Sequence, residues 1–206
     1  MTDVSEAIER LRAGNRRFVE GQPSNRELVN FAGHGVPVAD QRPFAIIIGC
    51  SDSRTPVEII FDQGIGDLFV IRVAGNIVAP SQVGSVEFAA ERFGTRLVVV
   101  LGHSHCGAVE ATLEELHRPS ESRSPNLHSI VDRISPAVEN LLDTDLDRDP
   151  AALLRAGVRA NVRSSVNQLR HGSRILEQLI LEDELKVVGA EYSLETGLVE
   201  FFDGVR

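Results

Sequence analysis

Cysteine is scarce in this sequence: Cys50 and Cys106 are the only two in 206 residues. That excludes a disulfide-built scaffold and points first to metal binding or catalysis. Long apolar runs are also missing. The longest, such as Leu97–Leu101, have the length of a strand, far short of a bilayer span. Basic stretches are lacking too. Lys and Arg number 21 against 30 Asp and Glu, for a net charge of -9. An acidic chain with no Lys/Arg-rich run excludes nucleic acid and an anionic membrane surface as expected partners. The first residues, MTDVSEAIERLRAGNRRF, are charged and amphipathic and contain no apolar signal-peptide core, so a cytoplasmic location is expected. No internal repeat or low-complexity segment is present.

The remaining composition, 42% hydrophobic and 25% charged, is that of a soluble globular protein, and the length suits one domain over residues 1–206. Val4, Ala7, Ile8, Leu11 and Phe18 recur at helical spacing, which predicts a helix over about Val4–Val19, stopped by Gly21 and Pro23. Residues 22–42, broken by Gly33, Gly35, Pro37 and then Pro43, read as a long connection. Residues 1–42 thus form an N-terminal helix and arm, and an arm of that length needs a surface to lie on. A partner subunit that buries Leu11 and Phe18 is the expected surface.

Phe44–Gly49, Leu68–Val73 and Leu97–Leu101 are continuous apolar runs rich in β-branched residues, as in strands buried on both faces. Helical segments at Thr55–Phe61 and Val83–Phe93 alternate with them. This order predicts an α/β fold with a mainly parallel central sheet and flanking crossover helices. The middle is less regular: residues 118–126 and Asp143–Pro150 have loop composition. A long helical pattern through Leu154, Val158, Val162, Val166 and Leu169 breaks at Gly172 and resumes at Ile175, Leu176, Leu179 and Ile180. Two final strands, Lys186–Tyr192 and Leu198–Phe202, flank a hairpin turn at Glu195–Gly197.

Both cysteines follow strand ends, Cys50 after Gly49 and Cys106 shortly after Gly102. The carboxyl ends of parallel strands form the ligand crevice of open α/β sheets. If the two strands are neighbours, both thiols reach one place, with His103 and His105 beside one and Asp52 and Arg54 beside the other. A lone cysteine beside a strand is ordinarily a small buried hydrophobe, and a purely structural zinc clamp is a second reading. Against the clamp, an Asp–Arg ion pair next to the donors adds nothing to a structural site. Zinc takes thiolate, imidazole and carboxylate ligands in a tetrahedron. Two thiolates and one imidazole fill three positions and leave the fourth to water or to Asp52. His34, His117, His128 and His171 read as surface histidines. Gly64, Gly66 and Gly75 match no phosphate-loop spacing and read as turn glycines.

Cys50-Ser-Asp-Ser-Arg54 resembles the C-x-D-x-R segment of the beta-carbonic anhydrases, and His103-Ser-His-Cys106 resembles their H-x-x-C segment. The likeness continues through Gly66–Arg72 and Ala74-Gly-Asn76 to Tyr192, over most of the chain. It implies a parallel sheet with an antiparallel edge strand and a homodimer or homotetramer. It implies Zn2+ on Cys50, His103 and Cys106, with His105 outside the ligand set. Asp52 and Arg54 are the implied catalytic pair: Arg54 draws Asp52 off the metal, and Asp52 becomes a fourth ligand only in a closed state. The implied reaction is reversible hydration of carbon dioxide to bicarbonate and a proton, in a narrow apolar pocket for which Val73 and Ala74 are candidate walls. Backbone N–H groups near Gly107 would steady developing negative charge if they open a helix. Hydrolysis of carbonyl sulfide or carbon disulfide on the same fold, and a zinc-stabilised regulatory protein without activity, are the competing readings. Two departures stand out. Some members hold bicarbonate in an inhibitory pocket of tryptophan, arginine and tyrosine; here Arg72 and Tyr192 stand at the matching places, but Ile47 replaces the tryptophan and the chain has no Trp. Gln63 lies one residue out of register with the substrate-side glutamine of plant-like members and takes no assigned role.

Overall fold

The computed structural model describes residues 3–22, 24, 41–118 and 124–205. Helix α1 spans Val4–Val19 and opens on Asp3, whose carboxylate accepts the Ser5 N–H at 2.8 Å and the Glu6 N–H at 3.3 Å. A side-chain acceptor at this position satisfies backbone donors that the helix itself cannot. Strand β1 is Ala45–Gly49, the short helix α2 Val57–Ile60, β2 Leu68–Arg72, α3 Pro80–Phe93 and β3 Leu97–His103. Helices α4 (Gly107–His117), α5 (Pro125–Val138), α6 (Pro150–His171) and α7 (Arg174–Leu181) follow, then β4 (Lys186–Tyr192) and β5 (Val199–Asp203).

The five strands lie in the order β2-β1-β3-β4-β5. The first four are parallel, and β5 pairs antiparallel with β4 at one edge. Side chains alternate across the sheet as the two-residue period of a strand requires. Ala45, Ile47, Leu97, Val99, Leu101, Val188 and Ala190 face one core layer. Ile46, Ile48, Val98, Val100 and Val187 face the other, where they meet Val86 and Ala89 of α3, Val162, Val166 and Leu169 of α6, and Leu176 of α7. The apolar runs therefore lack a polar face because both faces are covered.

Helix α1 covers the first layer with Ala7, Ile8 and Leu11. Leu11 is 0% exposed. Asn15 pins the helix further: its amide donates to the Ile60 and Gly197 carbonyls, and its Oδ1 accepts the Val199 N–H at 2.8 Å. This corrects the expectation that a partner subunit is needed to bury Leu11. The apolar face of α1 lies on its own sheet, and Phe18 packs half-buried at the edge of the same cluster. Most of the arm that was to follow, including Gly33, His34, Gly35 and Pro37, lies outside the described residues.

Two helices, α4 and α5, flank the loop-like residues 118–126, in segments to which the sequence reading assigned no element. Cys106 caps α4 without a side-chain hydrogen bond, so the usual Ser, Thr, Asp or Asn start signal is missing. Helix α5 begins at Ser124-Pro125, with Ser124 accepting the Asn126 N–H and proline at the first helical position, and holds Pro136 in its last turn. Asp145–Arg148 is a 3-10 turn capped by Thr144 rather than open loop. Together α4, α5 and α6 build a third apolar cluster over the carboxyl ends of β1 and β3, with Ile77, Val109, Leu113, Ile134, Val138 and Val158 around Cys50 and Cys106.

Candidate metal centre

Strands β1 and β3 are direct neighbours, with Gly49 paired to Leu101. Cys50 therefore leaves its strand beside the end of β3, where His103 and Cys106 turn toward it. The sulfurs of Cys50 and Cys106 and a ring nitrogen of His103 lie within 4.8 Å of one another, and all three residues are buried. His103 Nδ1 lies 2.8 Å from the Ser104 carbonyl, an acceptor only, so this nitrogen carries the proton. The lone pair of Nε2 then faces the thiols, and Nε2 is buried with no hydrogen-bond partner. A buried imidazole nitrogen left without a partner is costly unless something else fills its lone pair. Two sulfurs and that nitrogen form a donor set that suits zinc in size and softness. The residues present thus fit the metal.

The surroundings stabilise negative charge on sulfur. The Cys106 thiol, close to Cys50, lowers the pKa of Cys50, with burial working against it; His103, the backbone of Asp52 and the Gly75 N–H, 3.3 Å from the sulfur, add to the lowering. Cys106 is pushed correspondingly high by the charge on Cys50 and by burial, opposed by the N–H groups of Val109 and Ala108 in the first turn of α4. Burial opposes a charged His103, but the Cys50 sulfur and the Ser104 carbonyl outweigh it and raise its pKa.

Glycines allow the close approaches. Gly75, at φ 67, presents its N–H to Cys50, and a Cβ there would meet Ile134 Cδ1 at 2.8 Å. A Cβ on Gly102, the residue before His103, would meet Val162 Cγ2 at 2.5 Å, so α6 packs directly on the strand end. Asn161 of α6 donates to the Gly75 carbonyl at 2.7 Å.

Asp52 stands beside the donors, its Oδ2 3.9 Å from His103 Nε2. Arg54 grips it with a two-pronged fork, Nε to Oδ1 at 2.9 Å and Nη2 to Oδ2 at 2.7 Å, and the Arg54 amide adds a third bond. That grip holds the Asp52 carboxyl well below the usual carboxylate range. In this arrangement the carboxylate is engaged by arginine. Thr55 and Arg72 fix the loop from below: Thr55 Oγ1 donates to the Asp52 carbonyl, and Arg72 to the carbonyls of Cys50 and Asp52.

His105, expected outside the ligand set, points to Glu195 on the surface. His117 and His171 are exposed as well, and His128 is half-buried. Gln63 donates to the Phe61 carbonyl and accepts from Arg10 of α1. Ile47 is fully buried in the sheet, and Arg72 is occupied by the two carbonyls. The sequence reading missed Arg72 and Thr55 as supports, because both act on main-chain carbonyls, which leave no side-chain pattern in the sequence. It also took Gly75 for an ordinary turn glycine, although its positive φ is what aims its amide at sulfur.

The family pattern described as carbonic anhydrase matches residues 45–199. Carbonic anhydrase 2 of Mycobacterium tuberculosis is 36% identical over 200 residues, covering 95% of this chain and 91% of the relative. The carbonic anhydrase of Mycolicibacterium smegmatis is 37% identical over 190 residues, covering 92% and 89%. Among solved structures, the beta-carbonic anhydrase CcaA superposes with a TM-score of 0.73 at 30% identity, over 96% of this chain and 88% of that one. With most of the chain matched and the Cys–His–Cys cluster at the sheet's carboxyl edge, this protein belongs to the beta-carbonic anhydrase family.

Proposed function

We propose that this chain hydrates carbon dioxide reversibly to bicarbonate and a proton, with one zinc held by Cys50, His103 and Cys106. The observation that carries the reading is the buried set of two sulfurs and an orphaned imidazole nitrogen, within 4.8 Å, beside an arginine-gripped aspartate. Bound there, zinc would supply the Lewis acidity that lowers the pKa of water to about 7. The chain's own groups do the rest. Asp52 accepts a hydrogen bond from the attacking water and orients its lone pair. Arg54 keeps Asp52 in that role and away from the metal; loss of this grip would let Asp52 close the site as a fourth ligand. The N–H groups that open α4 after Cys106 steady negative charge at this end of the helix. Val73 and Ala108 pack beside the cysteines and support an apolar wall for a small apolar substrate.

A homo-oligomer belongs to the same proposal. Phe88, 52% exposed, packs on Phe69 of edge strand β2, and an exposed aromatic at a sheet edge suits a contact with a second copy. A cytoplasmic location is supported by two buried free thiols, which a reducing compartment keeps available to metal. No helix among the described residues is long and apolar enough to cross a membrane.

The test is stopped-flow carbon dioxide hydration by purified protein carrying one equivalent of zinc. Catalysis far above the buffer rate is expected, and the metal-depleted protein should lose it. Zinc-loaded protein that does not accelerate hydration would refute the reading.

A further inference from the structure

Ser104 and His105, the residues between two of the donors, are held from outside by one carboxylate. His105 has φ 53, in the left-handed region. A residue with a Cβ stays there only when its surroundings over-determine the conformation. Glu195, on the turn between β4 and β5, reaches both residues. Its Oε2 accepts from Ser104 Oγ at 2.8 Å and from Ser193 Oγ at 2.9 Å, and its Oε1 lies 2.6 Å from His105 Nε2. Ser104 in turn is tied to the same hairpin: its amide donates to the Tyr192 carbonyl at 2.9 Å, and its hydroxyl oxygen accepts the Leu194 N–H at 2.9 Å. The carbonyl of this same Ser104 receives the Nδ1–H of His103.

The links run in one direction. Glu195 fixes Ser104 and His105, Ser104 orients the His103 imidazole through its carbonyl, and the His105 backbone delivers Cys106. An isolated exposed ion pair contributes little. Here one carboxylate collects three donors, and the segment it grips is strained. Groups behind a metal-binding histidine commonly decide how well the site is preformed.

We propose that Glu195 is a positioning residue of the metal centre, holding the left-handed turn at Ser104–His105 so that His103 and Cys106 converge before metal arrives. The proposal rests on the zinc reading above. The test compares wild type, Glu195→Ala, Glu195→Gln and the double variant Glu195→Ala/His105→Gly. Zinc release to a chromophoric chelator is timed, and the cobalt-substituted forms are examined by absorption. Glu195→Ala should release zinc about 10-fold faster and broaden the thiolate-to-cobalt bands, with its far-ultraviolet circular dichroism unchanged. Glu195→Gln should fall between, since the amide oxygen still accepts from a serine hydroxyl. The double variant should recover slow release, because glycine takes positive φ without a clamp; a merely structural loss at the surface would not be rescued that way. Wild type that takes up no zinc would overturn the metal reading and this inference together. Wild type that holds zinc while Glu195→Ala releases it at the same rate, or a double variant no slower than Glu195→Ala, would overturn this inference alone.

Discussion

Cys50 and Cys106 cannot both carry charge comfortably in a buried apolar cluster unless a cation sits between them. Cys50→Ser or Cys106→Ser should therefore abolish stoichiometric zinc binding and lower the melting temperature of the metal-loaded protein, since metal affinity is coupled to folding. Metal analysis after gel filtration reads the first effect and calorimetry the second. The Arg54 fork makes a second case. Arg54→Ala removes the grip on a carboxylate whose Oδ2 is 3.9 Å from His103 Nε2. Hydration activity should fall about 100-fold, the scale of a misplaced positioning group, and a crystal structure of the zinc form should find Asp52 on the metal. Arg54→Lys should recover only part of the activity, because an ammonium cannot form the fork. An open, water-accessible site in Arg54→Ala would remove the assigned role while leaving the donors in place. At this scale the motif residues were legible because ligands and their partner lie two to three positions apart. Arg72, Thr55 and Glu195 were not, since each meets its partner through the fold or through main-chain atoms.

Among the elements, α4 links the metal centre to the far side of the domain. It starts at Cys106 and ends at His117, which closes onto the 3-10 turn Asp145–Arg148. His117 Nδ1 lies 2.8 Å from the Leu113 carbonyl, and Nε2 lies 2.7 Å from Asp147 Oδ1. The Asp147 carboxylate raises the pKa of His117, helped by the Leu113 carbonyl at the helix end. A raised folded-state pKa means that the protonated pair stabilises the protein below the ordinary histidine range, and that this contribution fades as pH rises through the folded pKa. Asp147→Asn should return the pKa of His117 toward its ordinary value in an NMR titration. It should also remove part of the stability difference between mildly acidic and mildly basic solution. A titration unchanged by Asp147→Asn would show that the pair is not formed in solution.

In the whole molecule, α1 decides what a truncation does. Ala7, Ile8 and Leu11 complete one core layer, and Asn15 ties the helix to Ile60, Gly197 and Val199. Removing residues 1–20 should unfold the subunit rather than merely separate subunits, and Leu11→Ala should cost about 2–5 kcal/mol. Circular dichroism and sedimentation distinguish the outcomes: a folded but dissociated truncation product would return α1 to the role of an intersubunit arm. The residues by themselves pointed to the mainly parallel sheet, the final hairpin and two thiols at strand ends, because apolar runs, turn residues and strand-end positions are local properties of the chain, whereas the choice of His103 over His105 as a donor came from the resemblance to the family. Only the tertiary structure decided the rest. Helix α4 starts on a cysteine where a capping residue is expected, and the apolar face of α1 fits its own sheet as well as it would fit another subunit's. The Glu195 hold joins residues about ninety positions apart. Local pattern carries no record of which surface covers which, and packing and long-range hydrogen bonds make that choice.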